Sequence, residues 1–399
     1  MQLFNINSEI KPLKKVLLHR PGRELEHLTP EWLKQLLFDD IPWLSKAREE
    51  HDEFKKLLEG NGVEVLYLED LVVESLISTE VKESFVDDFI KESKIYSKKT
   101  VSKVKKYLLS LAPLDMVLSM MSGIPKSTIK VDGEYSLKEL VQDYPFLCDP
   151  MPNLYFVRDP MEIIGDYVAI NKMSNNVRER ETLFGEYIFK YHPVYKNQKK
   201  IYSRLDLPCI EGGDVLVLNE TTLAIGLSER TDTDAVELLA NRLFKKSKFS
   251  TIIAINIPKK RAFMHLDTIL TQVDYDKFMI HFGFLNNNQI FVIKKGSDSK
   301  LIIKEHNDKI EKVFSSVLEK EIKMIPCGGA SNIHSNREQW NDGANTLCIS
   351  PGKVIVYARN ERSNALLEKN GITVIKLEAS ELSRGRGGPR CMRMPLLRD

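Results

Sequence analysis

Apolar positions recur along this chain in one repeated grammar. Trp43 to Gly60 carries Ala47, Phe54, Leu57 and Leu58 on one side of a helical period, and Gly60-Asn61-Gly62 ends it. The apolar stretch Val63 to Leu68 follows as a strand. Arg178 to Tyr191 is again helical in spacing, and a short strand follows near Lys200-Ile201-Tyr202. Thr231 to Lys246 sets Ala235, Leu238, Leu239 and Leu243 on one face before a strand at Thr251 to Ile255. Lys304 to Lys320 repeats this through Ile310, Val313, Phe314 and Leu318, before a strand at Ile322 to Ile325. Arg362 to Asn370 stops at Gly371, and Ile372 to Ile375 is extended.

Paired extended runs precede most of these helices. Val215 to Leu218 and Thr222 to Leu227 flank Asn219-Glu220; Thr346 to Ser350 and Val354 to Tyr357 flank the turn dipeptide Pro351-Gly352. The unit is strand, strand, helix, strand, and it occurs five times. Five such modules predict radial repetition, in which each closes against its neighbours. A doubly wound sheet is the runner-up. It requires strict strand–helix alternation, and no G-x-G-x-x-G follows a first strand.

One stretch breaks the rhythm. From about Leu76 to Tyr144 the pattern is helical: Val81, Phe85 and Phe89 share a face, as do Val101, Val104, Leu108 and Leu111. Pro113 suits a first helical position, Gly123 and Pro125 a stop, and Ser136 with Glu139 a capping box. This predicts a helical domain over 76–145, inserted into an α/β unit formed by 1–75 and 146–399.

Composition narrows the function classes. The 399 residues are 42% hydrophobic and 29% charged with a net charge of +2, so no electrostatic case exists for nucleic acid or a membrane as main partner. No apolar run reaches membrane-spanning or signal-peptide length. The five cysteines, Cys148, Cys209, Cys327, Cys348 and Cys391, are scattered and lack CxxC spacing. That pattern indicates neither a disulfide framework nor a zinc site, and a reducing cytoplasm is the expected home.

Polar groups stand where plain strands would not want them. Asp159 precedes a proline and is expected at a strand end. Glu211-Gly212-Gly213-Asp214 puts carboxylates beside two glycines. In His265-Leu266-Asp267, strand alternation sends the imidazole and the carboxylate to one side. Cys391 follows the run Gly385-Arg386-Gly387-Gly388-Pro389-Arg390, in which glycines permit close backbone approach and arginines favour a thiolate. A thiol, a histidine and several carboxylates suit attack on a cationic, planar carbon such as that of a guanidinium, whose N–H pairs carboxylates can accept. Protease chemistry fits less well, because a Cys–His pair there wants one orienting group.

These motifs resemble, in order and essentially end to end, those of the arginine deiminases in the guanidino-group-modifying (pentein) superfamily. Phe156-Val157-Arg158-Asp159-Pro160, Glu211 to Asp214, His265 to Asp267 and Gly385 through Met392 carry the likeness, with Leu13 to Gly22 and Leu37-Phe38-Asp39-Asp40. The resemblance implies a five-bladed ββαβ propeller with an inserted helical domain. It also implies hydrolysis of L-arginine to L-citrulline and ammonia without metal or other cofactor, as the first step of arginine catabolism. Cys391 matches the nucleophile that forms an amidino-cysteine intermediate, and His265 the general acid and base. Asp159 and Asp267 match the guanidinium clamp, and Glu211 a carboxylate that assists His265. Asn153, Arg178, Arg230, Gly385 and Arg386 match positions binding the amino-acid end, with Arg180 an alternative to Arg178; Phe156 matches one along the aliphatic stem. Arg393 and Met394 depart from the small or polar residues commoner there. A homodimer or higher homo-oligomer follows from the likeness alone, as does a lid at Leu37 to Ile41. Amidinotransferases and deiminases for methylated arginine or agmatine are the nearest rivals, and a non-catalytic binding propeller is the alternative of a different class.

Overall fold

Parallel strands cannot be joined by a tight turn, so a hairpin that acquires a third, parallel strand needs a crossover, and here a helix supplies it each time. In the computed structural model, which describes residues 3–129, 144–285, 289–297 and 300–399, Met161–Ile164 pairs antiparallel with Tyr167–Ile170. Helix Glu181–Tyr191 then crosses over, and Lys199–Tyr202 adds parallel to Tyr167–Ile170. The same order recurs in Val215–Val217, Thr222–Leu227, helix Thr233–Lys246 and Thr251–Asn256. It recurs again in Leu270–Gln272, Lys277–His281, helix Ile310–Leu318 and Lys323–Cys327, and in Leu347–Ser350, Lys353–Tyr357, helix Glu361–Lys369 and Thr373–Leu377.

The remaining unit is assembled from both ends of the chain. Leu13–Leu18 pairs antiparallel with Met394–Arg398 and parallel with Glu64–Tyr67, and helix Leu44–Gly60 makes the crossover. Cys391 lies three residues before the strand Met394–Arg398, so this pairing anchors the loop that carries the thiol. The middle strands are buried along nearly their whole length, as Tyr167–Ile170 and Thr222–Leu227 are, which explains their unbroken apolar sequence.

One expectation changes. The helix read from Lys304 starts only at Ile310, because Leu301–His306 is a strand paired antiparallel with Ile290–Lys295. The β-branched pair Ile302-Ile303 favours extension, and the ladder with the preceding strand decides the matter. This hairpin adds to Thr251–Asn256 and makes a five-stranded sheet. The helical stretch contains Thr79–Glu92, Lys98–Ser110 and Pro113–Ser122, capped by Ser78 and Ser97 at the first two N-termini and started by Pro113 at the third. Its expected cap at Ser136 and Glu139 lies outside the described residues. These helices have no core of their own: Phe85, Phe89, Val104 and Leu108 join one cluster with Phe184, Tyr187 and Ile188. The Phe85 ring meets Phe184 and Tyr187 at 5.8 and 4.7 Å. Among the described residues no helix is long and apolar enough to cross a membrane.

Leu396, buried in the strand that follows Cys391, tests the importance of joining the two ends. Leu396→Ala is expected to lower the unfolding free energy by about 2–5 kcal/mol in a urea titration.

Candidate active site

Each of the five units presents the segment just ahead of its first strand to one place. Asp159 precedes Met161–Ile164, Glu211 precedes Val215–Val217, and His265 and Asp267 precede Leu270–Gln272. Asn345 precedes Leu347–Ser350, and Cys391 precedes Met394–Arg398. Backbone released from the ladder at these points can aim side chains that a strand would hold to one face or the other. Asp159, His265 and Cys391 line a single pocket with Asn153, Phe156, Arg178, Arg230, Gly385 and Arg386. Glu211 and Asp267 reach it through His265 and Cys391 respectively. The structure thus brings these residues together, Arg178 among them, and leaves its alternative Arg180 outside the pocket.

Strand alternation at His265 and Asp267 does not hold. His265 is extended, but Leu266–Thr268 is a single 3-10 turn. Asp214 Oδ1 accepts from Leu266 N (2.8 Å), and Thr268 Oγ1 donates to His265 O (2.7 Å), which folds the turn. Asp214 is fixed in turn by the hydroxyls of Ser228 and Thr231, at 2.6 and 2.7 Å.

The carboxylates of Asp159 and Asp267 are held alike. Asp159 Oδ2 accepts from Arg178 Nη1 (2.8 Å), and Asp267 Oδ2 accepts from Arg390 Nη1 (2.8 Å). In both residues Oδ1 is buried and has no hydrogen-bond partner among the described residues. His265 Nδ1 lies 3.7 Å from Asp159 Oδ1, while its Nε2 donates to Glu211 Oε2 at 2.8 Å. The other Glu211 oxygen accepts from Ser174 N (3.1 Å) and Ser174 Oγ (3.0 Å), and Arg230 Nη1 stands 3.7 Å from Oε2.

These contacts set the protonation states. Burial disfavours charge on His265, but Asp159 and Glu211 outweigh it and raise the imidazole to about 9. Burial acts against the Glu211 carboxylate too, yet Arg230, His265 and Arg178 hold it well below the usual range. The Cys391 thiol is pushed well above its usual value by burial and then by Asp267, Asp159 and Asp342, with Arg390 opposing. The resting site is therefore a neutral thiol beside an imidazolium. Asp159, Glu211 and His265 also offer three donor atoms within 4.8 Å of one another, a spacing a metal ion could use.

The glycine run serves close approach. A Cβ at Gly387 would come within 2.3 Å of the Phe156 ring, and one at Gly388 within 2.6 Å of Asn345 Oδ1. Asn345, which sequence reasoning missed, donates to Cys391 Sγ (3.1 Å), and its Oδ1 accepts from the backbone N–H groups of Arg390 (3.0 Å) and Cys391 (3.3 Å). Its position ahead of a first strand, like the other site residues, was the signal available.

At the outer end Arg386 has φ of 62° and stacks its guanidinium 3.5 Å from the Trp340 ring centre. All three of its side-chain nitrogens are buried without a hydrogen-bond partner among the described residues. Arg178 lines this pocket, whereas Arg180 reaches Ser93 and Asp149 instead and packs on Phe89. Asn153 Nδ2 donates to Leu36 O (2.8 Å), and Arg261 grips Asp39 (2.9 Å), so Leu37 sits against the pocket.

A family model described as arginine deiminase matches residues 34–398. Curated relatives named arginine deiminase include one from Borrelia duttonii, 48% identical over 99% of this chain and 98% of its own. Another, from Treponema denticola, is 47% identical over 100% and 99%. A third, from Bacillus cereus, is 50% identical over 99% and 98%. Among solved structures, a Pseudomonas aeruginosa dimethylarginine dimethylaminohydrolase with bound citrulline superposes with a TM-score of 0.52 at 16% identity, covering 96% of this chain and 99% of its own. An amidinotransferase of saxitoxin biosynthesis from Microseira wollei gives 0.54 at 16%, covering 99% and 97%. These two share the fold; the family is decided by the full-length sequence matches, and the chain belongs to the arginine deiminase family.

Proposed function

We propose that this protein hydrolyses L-arginine to L-citrulline and ammonia through a covalent amidino-cysteine intermediate, as the first step of arginine catabolism by the arginine deiminase pathway. One observation carries the reading: two buried carboxylate oxygens, Asp159 Oδ1 and Asp267 Oδ1, and one buried guanidinium, Arg386, all lack hydrogen-bond partners among the described residues. Buried polar groups left unpaired are costly, so such a site favours a ligand that completes them. L-Arginine offers a guanidinium for the acceptors and an α-carboxylate for the donors. Between them runs an aliphatic stem, for which Phe156 provides an apolar wall. Full-length relatives named arginine deiminase support the same substrate.

The chemistry follows from the protonation states. Arrival of a cationic guanidinium offsets the carboxylates that hold the thiol proton, which is directed at Asp267 Oδ2 (3.5 Å). The thiol proton passes to solvent, where it later converts released ammonia to ammonium, as Cys391 Sγ attacks the guanidinium carbon. As the C–N bond breaks, His265 gives its proton to the departing amine, with Glu211 stabilising the imidazolium before transfer. The neutral imidazole next takes a proton from water, whose oxygen attacks the amidino carbon. Rupture of the C–S bond releases citrulline and regenerates the thiol. The sum consumes one water and yields citrulline and ammonium.

Convergence of five equivalent loops on one site supports reading the sheets as blades of a five-bladed propeller, with 1–75 and 146–399 as the catalytic unit and 76–145 as the helical insertion. Leu37 to Ile41 is read as the lid.

Three measurements test the function. Purified protein should convert L-arginine to citrulline, and Cys391→Ala should lower the rate by about four orders of magnitude or more while keeping the thermal transition. Agmatine, which lacks the α-carboxylate, should react with kcat/KM reduced about 100-fold or more, since charge-assisted hydrogen bonds are lost; equal rates on both would refute the assignment of Arg386. The His265 pKa of about 9 lies above its usual value, so its stabilising contribution is complete below about 6.5 and is lost as pH rises through about 9. The gap in unfolding free energy between wild type and His265→Gln should therefore shrink between pH 6 and pH 10, and kcat/KM should fall across the alkaline part of that range as the acid is lost.

A further inference from the structure

Behind Asp267 lies a buried charge cluster to which the deiminase chemistry gives no part. Arg390 donates Nη1 to Asp267 Oδ2 (2.8 Å), Nη2 to Val215 O (2.9 Å) and to Glu9 Oε1 (3.1 Å), and Nε to Glu9 Oε2 (3.2 Å). Glu9 precedes the strand Leu13–Leu18 and also accepts from Val217 N (3.1 Å). Arg158 and Arg393 each stand 3.8 Å from it. Burial works against the Glu9 carboxylate, but Arg390, Arg158 and Arg393 hold it well below the usual range, so it remains ionised. Arg390 does not line the active-site pocket and reaches it through Asp267.

The arrangement on the other side of the site is its counterpart. Arg178 donates Nη1 to Asp159 Oδ2 (2.8 Å), while Nε and Nη2 grip Glu181 at 3.0 and 2.8 Å. Each clamp carboxylate therefore ends an acid–arginine–acid chain, Glu181–Arg178–Asp159 or Glu9–Arg390–Asp267, and each keeps a single oxygen free. An aspartate held at one oxygen by a planar fork has little rotational freedom left. On the thiol side, the charged groups acting on Cys391 are Asp267, Asp159, Asp342 and Arg390, and only Arg390 among these is a cation.

We infer that Arg390, held by Glu9, is a positioning residue of this enzyme: it occupies Asp267 Oδ2 so that Oδ1 alone meets the substrate guanidinium, and it offsets the carboxylate charge beside the Cys391 thiol. The substrate half of this inference rests on the deiminase reading; the thiol half does not. Arg390 touches neither substrate nor reacting atoms on this account and acts through Asp267.

The experiment compares wild type with Arg390→Gln and Arg390→Lys in two assays, citrulline formation and the pH dependence of Cys391 alkylation by iodoacetamide. Arg390→Gln removes the charge, so kcat/KM should fall about 100-fold and the alkylation profile should move to higher pH by roughly one unit. Arg390→Lys keeps the charge without the fork; its alkylation profile should stay near wild type while kcat/KM still falls about tenfold. A merely structural arginine would not divide the two readouts in this way. Folded Arg390→Gln protein with wild-type kcat/KM and an unmoved alkylation profile overturns the inference. A wild-type chain that releases no citrulline defeats the deiminase reading instead, and alkylation alone then decides the thiol half. If both substitutions prevent folding, a crystal structure of Cys391→Ala with bound L-arginine decides: Arg390 on Oδ2 and substrate on Oδ1 support the inference, and Arg390 displaced from Asp267 overturns it.

Discussion

A carboxylate buried in protein must be neutralised, yet one that is fully neutralised has nothing left to offer a cationic ligand. The site meets both demands by dividing Asp159 and Asp267 each between a buried arginine and the open pocket. One oxygen of Asp159 faces Arg178 and one of Asp267 faces Arg390; the remaining oxygens have no hydrogen-bond partner among the described residues. Nearly everything else in the pocket serves this division. Glu181 and Glu9 hold the two arginines, and the surplus negative charge raises both the imidazole and the thiol. Substrate charge is then the missing component of an otherwise complete electrostatic set.

The fold makes that division possible by repetition. Five copies of one strand–strand–helix–strand unit present the same stretch of backbone, just ahead of the first strand, to one place. A side chain delivered from there needs no long loop, so its conformational freedom is small before any ligand arrives. At the site the copies differ in what they deliver: an acid from one, an acid held by a hydrogen-bonded serine from another, a histidine with an acid from the third, an amide from the fourth and a thiol from the fifth.

Much of this was legible in the chain because it is local. Hairpins were marked by dipeptides such as Pro351-Gly352, helices by faces such as Ala235, Leu239 and Leu243, and all of these lie in the elements expected. Lys304 to His306 misled because charged residues on an exposed edge strand mimic the polar face of a helix. His265 to Asp267 misled because the turn there depends on Asp214, a residue from another unit. The site residues were read through motif resemblance, and the structure shows what the motif could not: Asn345 reaches Cys391 from 46 positions away, and Glu9 reaches Arg390 from 381 away. Partnerships at such separations leave no periodic trace in either segment.

The pairing of Leu13–Leu18 with Met394–Arg398 has a consequence in time. During synthesis the early strand can find its parallel neighbour Glu64–Tyr67 soon after both emerge, but its other edge stays open until almost four hundred residues have been made. Contacts so far apart in sequence form late. Until they form, the sulfur remains outside the acid cradle that surrounds it in the folded chain, so a newly finished or half-unravelled molecule carries Cys391 as an ordinary cysteine.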